Sequence, residues 1–149
     1  HRIIADLGYY LTAYYGILNL ENGIFQFTNA GHHAALLWRK RDGSIEKLDS
    51  PGLFIGISED GNYETRTATI EAGDRILLFT DGIVEARNPA GDFFEYDRLF
   101  EYIETHSELA PTDFVDGLIK TVDAFCEGKP ADDDRAVLYV EFVQTMVEN

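Results

Sequence analysis

The feature that most constrains the fold is the stretch of residues 75–88, which reads RILLFTDGIVEARN. Its apolar run, residues 76–79, follows a turn signal (Ala-Gly-Asp, residues 72–74) and stops at Thr-Asp-Gly. A continuous apolar run bounded by turns predicts a β-strand buried on both faces. Asp81 then lies at the rim of the core, where a rigid element presents its carboxylate, and Gly82 allows close backbone approach. An ordinary strand ending in an Asp-Gly turn is the alternative that this segment alone leaves open.

A second acidic cluster, Asp-Asp-Asp at residues 132–134, precedes another strand-like run at residues 135–143. Two carboxylate groups beside core strands converge on one site if the strands are neighbours. Ligands that offer only oxygen favour hard cations such as Mg²⁺ or Mn²⁺. A solvated acidic loop is the alternative for the triplet. A Ca²⁺-binding protein is disfavoured, because no Asp-x-Asp-x-Asp-Gly loop with a closing Glu is present.

Three motifs, taken in order, resemble those of a known family. They are FTNAGHHAALL at residues 27–37, DRILLFTDGIVEA at residues 74–86, and the Asp-Asp pair at residues 133–134 before the terminal strand. Together they resemble the metal-dependent protein phosphatases (PPM, type 2C), in the bacterial SpoIIE-like branch of sporulation and sigma-factor-regulator phosphatases. The resemblance runs in register from about residue 10 to residue 143.

The resemblance implies an α+β fold with two stacked antiparallel β-sheets flanked by helices. It implies two metal ions, Mn²⁺ or Mg²⁺, and in-line attack on phosphorus by a metal-activated water, with no protein nucleophile. Asp81 and Asp133 would be carboxylate ligands, roughly 4 to 7 Å apart. Gly82 would contribute its carbonyl, and Asp134 would orient Asp133 or a water. His32 would lie near the substrate-side loops; a hydrogen-bonded loop histidine is the alternative for it.

The implied function is a protein serine/threonine phosphatase acting on a phosphorylated regulatory protein of the anti-anti-sigma type. The alternative is a phosphatase-like binding module without turnover. The family's first metal motif is expected upstream of His1, so the sequence predicts residues 1–149 to be one N-terminally truncated domain. Asp6 matches no metal motif. Alone, this fragment is expected to bind metal poorly, to be inactive, and to self-associate through an unpaired sheet edge.

Composition excludes several other classes. The chain has 149 residues, 45% of them hydrophobic, and a formal net charge of −15. Such an acidic surface disfavours nucleic acid and requires cations if a phosphate is to bind. Cys126 is the single cysteine, so no intrachain disulfide forms and a cytoplasmic location is expected; no Cys-x5-Arg loop follows it. No apolar run approaches the ~18 residues of a membrane span, so no membrane contact is expected.

Periodicity and turn residues predict the remaining elements. Phe93-Phe94 stands where members of the resembled family often carry Phe-Gly, and the departure at Glu95 is minor and is expected to leave function untouched. A helix tail is predicted at residues 1–7. Strands are predicted at residues 11–20 and 24–29, which form a hairpin, and at residues 34–39, 45–48 and 63–70; helices are predicted at residues 96–105 and 111–125. The resemblance implies a further strand at residues 53–57.

Overall fold

The computed structural model describes residues 9–58 and 61–143. The predicted helix tail at residues 1–7, with Asp6, lies outside this part of the chain. Within the described residues no helix combines the length and apolarity needed to cross a membrane. The elements are β1 (Ala13–Asn19), β2 (Ile24–Ala30), β3 (Ala35–Trp38), β4 (Ile45–Leu48), β5 (Arg66–Thr69), β6 (Arg75–Phe79), α1 (Asp81–Val84), α2 (Glu95–His106), α3 (Pro111–Phe125) and β7 (Val137–Glu141).

The α+β prediction is confirmed: two antiparallel sheets and three helices form the described part of the chain. The chain divides into two compact units, one of residues 1–35 and 47–71 and the other of residues 36–46 and 72–149. No observation tests whether residues 1–149 form one truncated domain, so that expectation stays a prediction.

The first unit contains a three-stranded antiparallel sheet in the order β1-β2-β5. The predicted hairpin between β1 and β2 is confirmed, with Asn19 paired to Ile24. Gly23 adopts φ +69°, and its N–H donates to the Asn19 carbonyl at 2.9 Å. The Asn-Gly turn signal therefore fixes the register of the hairpin, as this conformation is one that glycine adopts without strain.

Two predicted strands of this unit differ from the structure. Residues 53–57 form no strand; only one antiparallel bridge joins Leu11 and Ile55, through backbone hydrogen bonds of 2.8 and 2.9 Å. Gly56 follows at φ +106°, and this turn away from the extended conformation ends the pairing after one residue. The fifth strand is shorter than the predicted residues 63–70, because only Arg66–Thr69 pair with β2.

The second unit is built on the sheet β4-β3-β6-β7, with β6 between two antiparallel neighbours. Every residue of β6 is buried except Leu78, which is partly exposed. The prediction of a strand buried on both faces is thus confirmed. Its start is fixed by the buried Asp74, whose carboxylate accepts hydrogen bonds from the Arg39 guanidinium and the Lys40 N–H, both at 3.0 Å.

Helices α2 and α3 supply apolar stripes to the core of this unit. On α3, Phe114, Leu118 and Val122 are fully buried. The Phe114 ring stacks on Tyr139 of β7, with ring centroids 3.8 Å apart, and its carbonyl accepts the Tyr102 hydroxyl at 3.0 Å. The helices therefore pack against the strand that enters the core directly after the acidic triplet.

Candidate metal centre

The two acidic segments meet because their strands are antiparallel neighbours. Phe79 at the end of β6 pairs with Val137 at the start of β7. The segment that follows β6 and the segment that precedes β7 therefore lie at the same edge of the sheet. Asp81 follows Phe79 by two residues, and Asp133 precedes Val137 by four.

Thr80 connects these two segments directly. Its N–H donates to the Ala136 carbonyl at 3.0 Å, and its hydroxyl donates to the Asp134 carbonyl at 2.9 Å. The same hydroxyl oxygen accepts the Ala136 N–H at 2.9 Å. One threonine side chain thus fixes the spacing of the two acidic segments, a role that the sequence did not reveal.

A cavity of about 260 Å³ lies where the segments meet. The structure brings three of the predicted site residues, Asp81, Gly82 and Asp133, to its lining. Asp134 is not among the lining residues; its backbone N–H donates to Asp133 Oδ1 at 2.7 Å, and the orienting role expected of Asp134 stays a prediction. The lining residues are Asp81, Gly82, Glu85, Ala86, Arg87, Asp132, Asp133 and Arg135.

The carboxylates of Asp81 and Asp133 are exposed and hold no cationic partner among the described residues. Asp81 Oδ1 accepts the Gly82 N–H at 2.9 Å, and Asp133 Oδ1 accepts the Asp134 N–H. Asp132 differs, since Lys129 pairs with it at 2.8 Å and holds the pKa of its carboxyl below the usual value. Within the described part of the chain, the two carboxylates predicted as ligands thus form no ion pair, and this also holds for Glu85 on the same lining.

Gly82 is required by close packing. A Cβ at this position would lie 2.5 Å from the Asp134 carbonyl oxygen. The sequence predicted that Gly82 lets the backbone approach a bound group. The structure shows that Gly82 lies close to the facing acidic segment. The Gly82 carbonyl accepts the Arg135 Nε–H at 3.2 Å. Because a carbonyl oxygen carries two lone pairs, this contact is compatible with a second one to a cation.

These donors fit a hard cation but supply only part of a coordination sphere. Two carboxylates and a carbonyl are the oxygen ligands that Mg²⁺ and Mn²⁺ prefer. In residues 9–58 and 61–143 no group of three or more acidic, histidine or cysteine side chains lies close enough together to hold a metal. Water or further protein ligands would have to complete the sphere. The distance predicted between the two carboxylates stays a prediction.

Two arginines on the lining were not identified from sequence. The Arg135 guanidinium bridges to α3, donating to Asp123 Oδ1 at 2.6 Å and to the Cys126 sulfur at 3.4 Å. Arg87 lies over the Phe93 ring, with the guanidinium carbon 4.3 Å from the centroid. No sequence signal identifies these positions as site residues, since contacts between α1, α3 and the acidic triplet depend on the tertiary fold.

His32 belongs to the first unit, where it forms hydrogen bonds with Thr12 and Asn29. Its Nδ1 lies 3.1 Å from the Thr12 hydroxyl, and its N–H donates to Asn29 Oδ1 at 2.8 Å. The buried Asn29 side chain returns a hydrogen bond to the His32 carbonyl and another to Asp49, both at 2.7 Å. This geometry agrees with a hydrogen-bonded loop histidine, and the predicted substrate-side position of His32 stays a prediction.

Comparison with known proteins shows the family. The model of the family described as Stage II sporulation protein E (SpoIIE) matches residues 2–143. The phosphoserine phosphatase RsbU of Bacillus subtilis is 32% identical over 122 residues, covering 79% of this chain and 36% of RsbU. The phosphoserine phosphatase RsbP of the same organism is 24% identical over 133 residues, covering 89% of this chain and 31% of RsbP. The chain thus spans about a third of the length of these relatives.

Solved structures show the same fold. The SiaA-PP2C domain of Pseudomonas aeruginosa superposes with a TM-score of 0.81 at 17% identity, covering 95% of this chain and 55% of that chain. The phosphatase domain of SpoIIE from Bacillus subtilis gives 0.72 at 18% identity, covering 92% of this chain and 59% of that chain. The chain belongs to the SpoIIE family and has the fold of the PPM-type phosphatase domains.

Proposed function

We propose that the protein containing this chain is a Mn²⁺- or Mg²⁺-dependent protein serine/threonine phosphatase that uses two ions. The observation that carries the proposal is the pair of exposed carboxylates without cationic partners, Asp81 and Asp133, on one cavity with Gly82. The names of RsbU and RsbP as phosphoserine phosphatases support it. So does the related fold of the phosphatase PstP, which was solved in complex with two manganese ions.

In this proposal the chain's residues hold and position charge. Asp81 and Asp133 would hold the cations at the cavity that both residues line, and Thr80 keeps the two acidic segments in register. When bound, the cations lower the pKa of the attacking water and offset charge on the phosphoryl oxygens. They also compensate the net charge of −15, which would otherwise repel an anionic substrate.

The substrate we propose is phosphoserine or phosphothreonine on a regulatory protein of the anti-anti-sigma type, in the cytoplasm. The motifs at residues 27–37 and 74–86 support this assignment by their resemblance to sigma-factor-regulator phosphatases. The phosphoserine specificity in the names of RsbU and RsbP supports the phosphoamino acid.

A phosphatase assay on the protein that contains this chain tests the proposal. With a phosphoserine peptide as substrate, phosphate release should require Mn²⁺ or Mg²⁺ and stop when EDTA is added. Metal-independent release, or none at any Mn²⁺ concentration, would contradict the proposed function.

A binding module without turnover is the second candidate, since the described residues gather no group of three metal donors. Calorimetric titration of the 149-residue chain with Mn²⁺ measures how much of a metal site this chain supplies by itself. Two carboxylates should bind Mn²⁺ only weakly. Tight binding of two ions would show that the chain supplies a complete site. Retention of a phosphopeptide by the whole protein without hydrolysis would favour the binding module.

A further inference from the structure

The two arginines on the acidic cavity have different environments. Arg135 uses its donors within the protein, on the Gly82 carbonyl, the Asp123 carboxylate and the Cys126 sulfur. Its side chain is only 13% exposed. Arg135 therefore holds α1 against α3 and has little capacity left for a ligand.

Arg87 is positioned without using its donors. Its backbone forms an antiparallel bridge with Phe93, and its guanidinium lies on the Phe93 ring at 4.3 Å. Hydrogen bonds on both sides of the bridge, Phe94 N–H to the Ala86 carbonyl at 2.8 Å and Asn88 N–H to the Asp92 carbonyl at 3.0 Å, fix this loop. Within residues 9–58 and 61–143 the Arg87 guanidinium forms no hydrogen bond and no ion pair.

We propose that Arg87 binds the phosphoryl group of the substrate at this cavity. A guanidinium presents a planar fork of donors that matches two phosphoryl oxygens at once. Stacking on Phe93 restricts the side chain before the ligand arrives, so less conformational entropy is lost on binding. The inference deepens the proposed phosphatase function and rests on it for the identity of the substrate.

The competing explanation is that Arg87 only offsets the charge of Asp132 on the same lining. Lys129 already pairs with Asp132 at 2.8 Å, so that carboxylate has a closer cation. Most exposed arginines are simply solvated. Arg87 differs from them by lying on a cavity with carboxylates that lack a cationic partner, while an aromatic ring holds its guanidinium in place.

Phosphate binding tests the inference independently of turnover. Inorganic phosphate is titrated into the protein that contains this chain in excess Mg²⁺ and followed by phosphorus NMR, for the wild type, Arg87→Ala, Arg87→Lys and Arg41→Ala. Arg87→Ala should weaken binding roughly tenfold or more, and Arg87→Lys should restore part of the affinity, since lysine keeps the charge but loses the fork. Arg41 is an exposed arginine of the β3–β4 turn that pairs with Asp42, so Arg41→Ala should change the affinity less than twofold and controls for net charge.

Equal affinity in Arg87→Ala and the wild type overturns the inference, as does a wild-type protein that binds no phosphate in excess Mg²⁺. Thermal unfolding midpoints of the variants should match, because Arg87 is exposed. In the protein that contains the chain, Arg87→Ala should raise KM for a phosphoserine peptide. Arg87-dependent phosphate binding without hydrolysis would refute the phosphatase but keep this inference. Hydrolysis that is unaffected by Arg87→Ala would support the phosphatase but overturn this inference.

Discussion

Two of the three sequence motifs contain a turn, and the key polar side chains of these two turns have opposite environments. In the asparagine turn (residues 29–32) the polar groups of Asn29 form hydrogen bonds within the protein. Its side chain contacts His32 and Asp49, its N–H donates to the Ser50 hydroxyl at 2.7 Å, and the residue is 3% exposed. In the aspartate turn (residues 80–82) Asp81 is exposed and accepts one local hydrogen bond.

The difference follows from the cost of burial. A buried amide is tolerated only when its donors and acceptors are paired, and the asparagine turn meets that condition with four hydrogen bonds to Asn29. A carboxylate without a cation is tolerated only where water reaches it, which is where Asp81 lies. Motifs of equal prominence in sequence thus serve stability in one turn and, in our proposal, chemistry in the other.

The largest effect should come from the aspartate turn. In the metal-dependent assay, Asp81→Asn should lower kcat on the order of 100-fold or more, because a neutral amide is a poor ligand for a hard cation. The free energy of unfolding should change by less than about 0.5 kcal/mol, as expected for an exposed side chain. Wild-type turnover of the variant at saturating Mn²⁺ would remove Asp81 from the metal site.

A substitution in the asparagine turn should lower stability rather than turnover. Asn29→Ala should reduce the free energy of unfolding by roughly 2 to 4 kcal/mol, because three part-buried hydrogen bonds of the side chain are lost and Asp49 and His32 lose partners. Urea denaturation measures the change. The matched control is Asn22→Ala, at an exposed turn where the side chain accepts one N–H from Ile24 at 3.0 Å. Its cost should stay below about 1 kcal/mol. Equal losses of unfolding free energy in Asn29→Ala and Asn22→Ala would contradict the stabilising role of the asparagine turn.

The sequence predicted those parts of the fold that local patterns determine. The apolar run of β6 admitted one interpretation, and Pro111 at the start of α3 marked that helix correctly. The strand predicted at residues 53–57 was wrong because it depended on resemblance to a family segment, while the conformation of Gly56 ends the pairing. Resemblance in sequence does not determine a backbone angle.

The candidate site was predictable only in part, for a related reason. The sequence alone indicated that Asp81 and Asp133 could lie close together, because Asp81 follows one core strand and Asp133 precedes another. Arg135 could not be predicted, since its contact with the Gly82 carbonyl joins residues 53 positions apart through the packing of α3. Arg87 could not be predicted either, because its stacking on Phe93 depends on the conformation of one loop.

Gly82 tests whether the aspartate turn also depends on packing. Gly82→Ala places a Cβ 2.5 Å from the Asp134 carbonyl oxygen, so the two acidic segments must move apart. The expected cost is about 1 to 3 kcal/mol of unfolding free energy. Mn²⁺ affinity, measured by titration calorimetry, should fall with it because Asp81 and Asp133 separate. Lost stability with unchanged Mn²⁺ affinity would show that the spacing of the segments does not govern metal binding.

The smallest effect should come from Glu95 at the start of α2. Glu95 adopts φ +63° at the first residue of α2, a left-handed conformation that is strained for any residue with a Cβ. Glu95→Gly should remove that strain and raise the free energy of unfolding by about 0.5 to 1 kcal/mol, part of the gain being offset by the greater chain entropy of glycine. The urea midpoint measures this change, and kcat should not move, as the sequence analysis expected.

Glu104→Gly is the matched control for that last change. Glu104 is an exposed glutamate in the interior of the same helix, where glycine has no strain to relieve and lowers helix stability by about 1 kcal/mol. Opposite signs at the two glutamates would show that the backbone conformation, rather than the loss of a negative charge, determines the effect at residue 95. If both variants are destabilised alike, residue 95 is not strained. A gain in stability accompanied by a loss of turnover would instead place Glu95 with the aspartate turn among residues that serve chemistry.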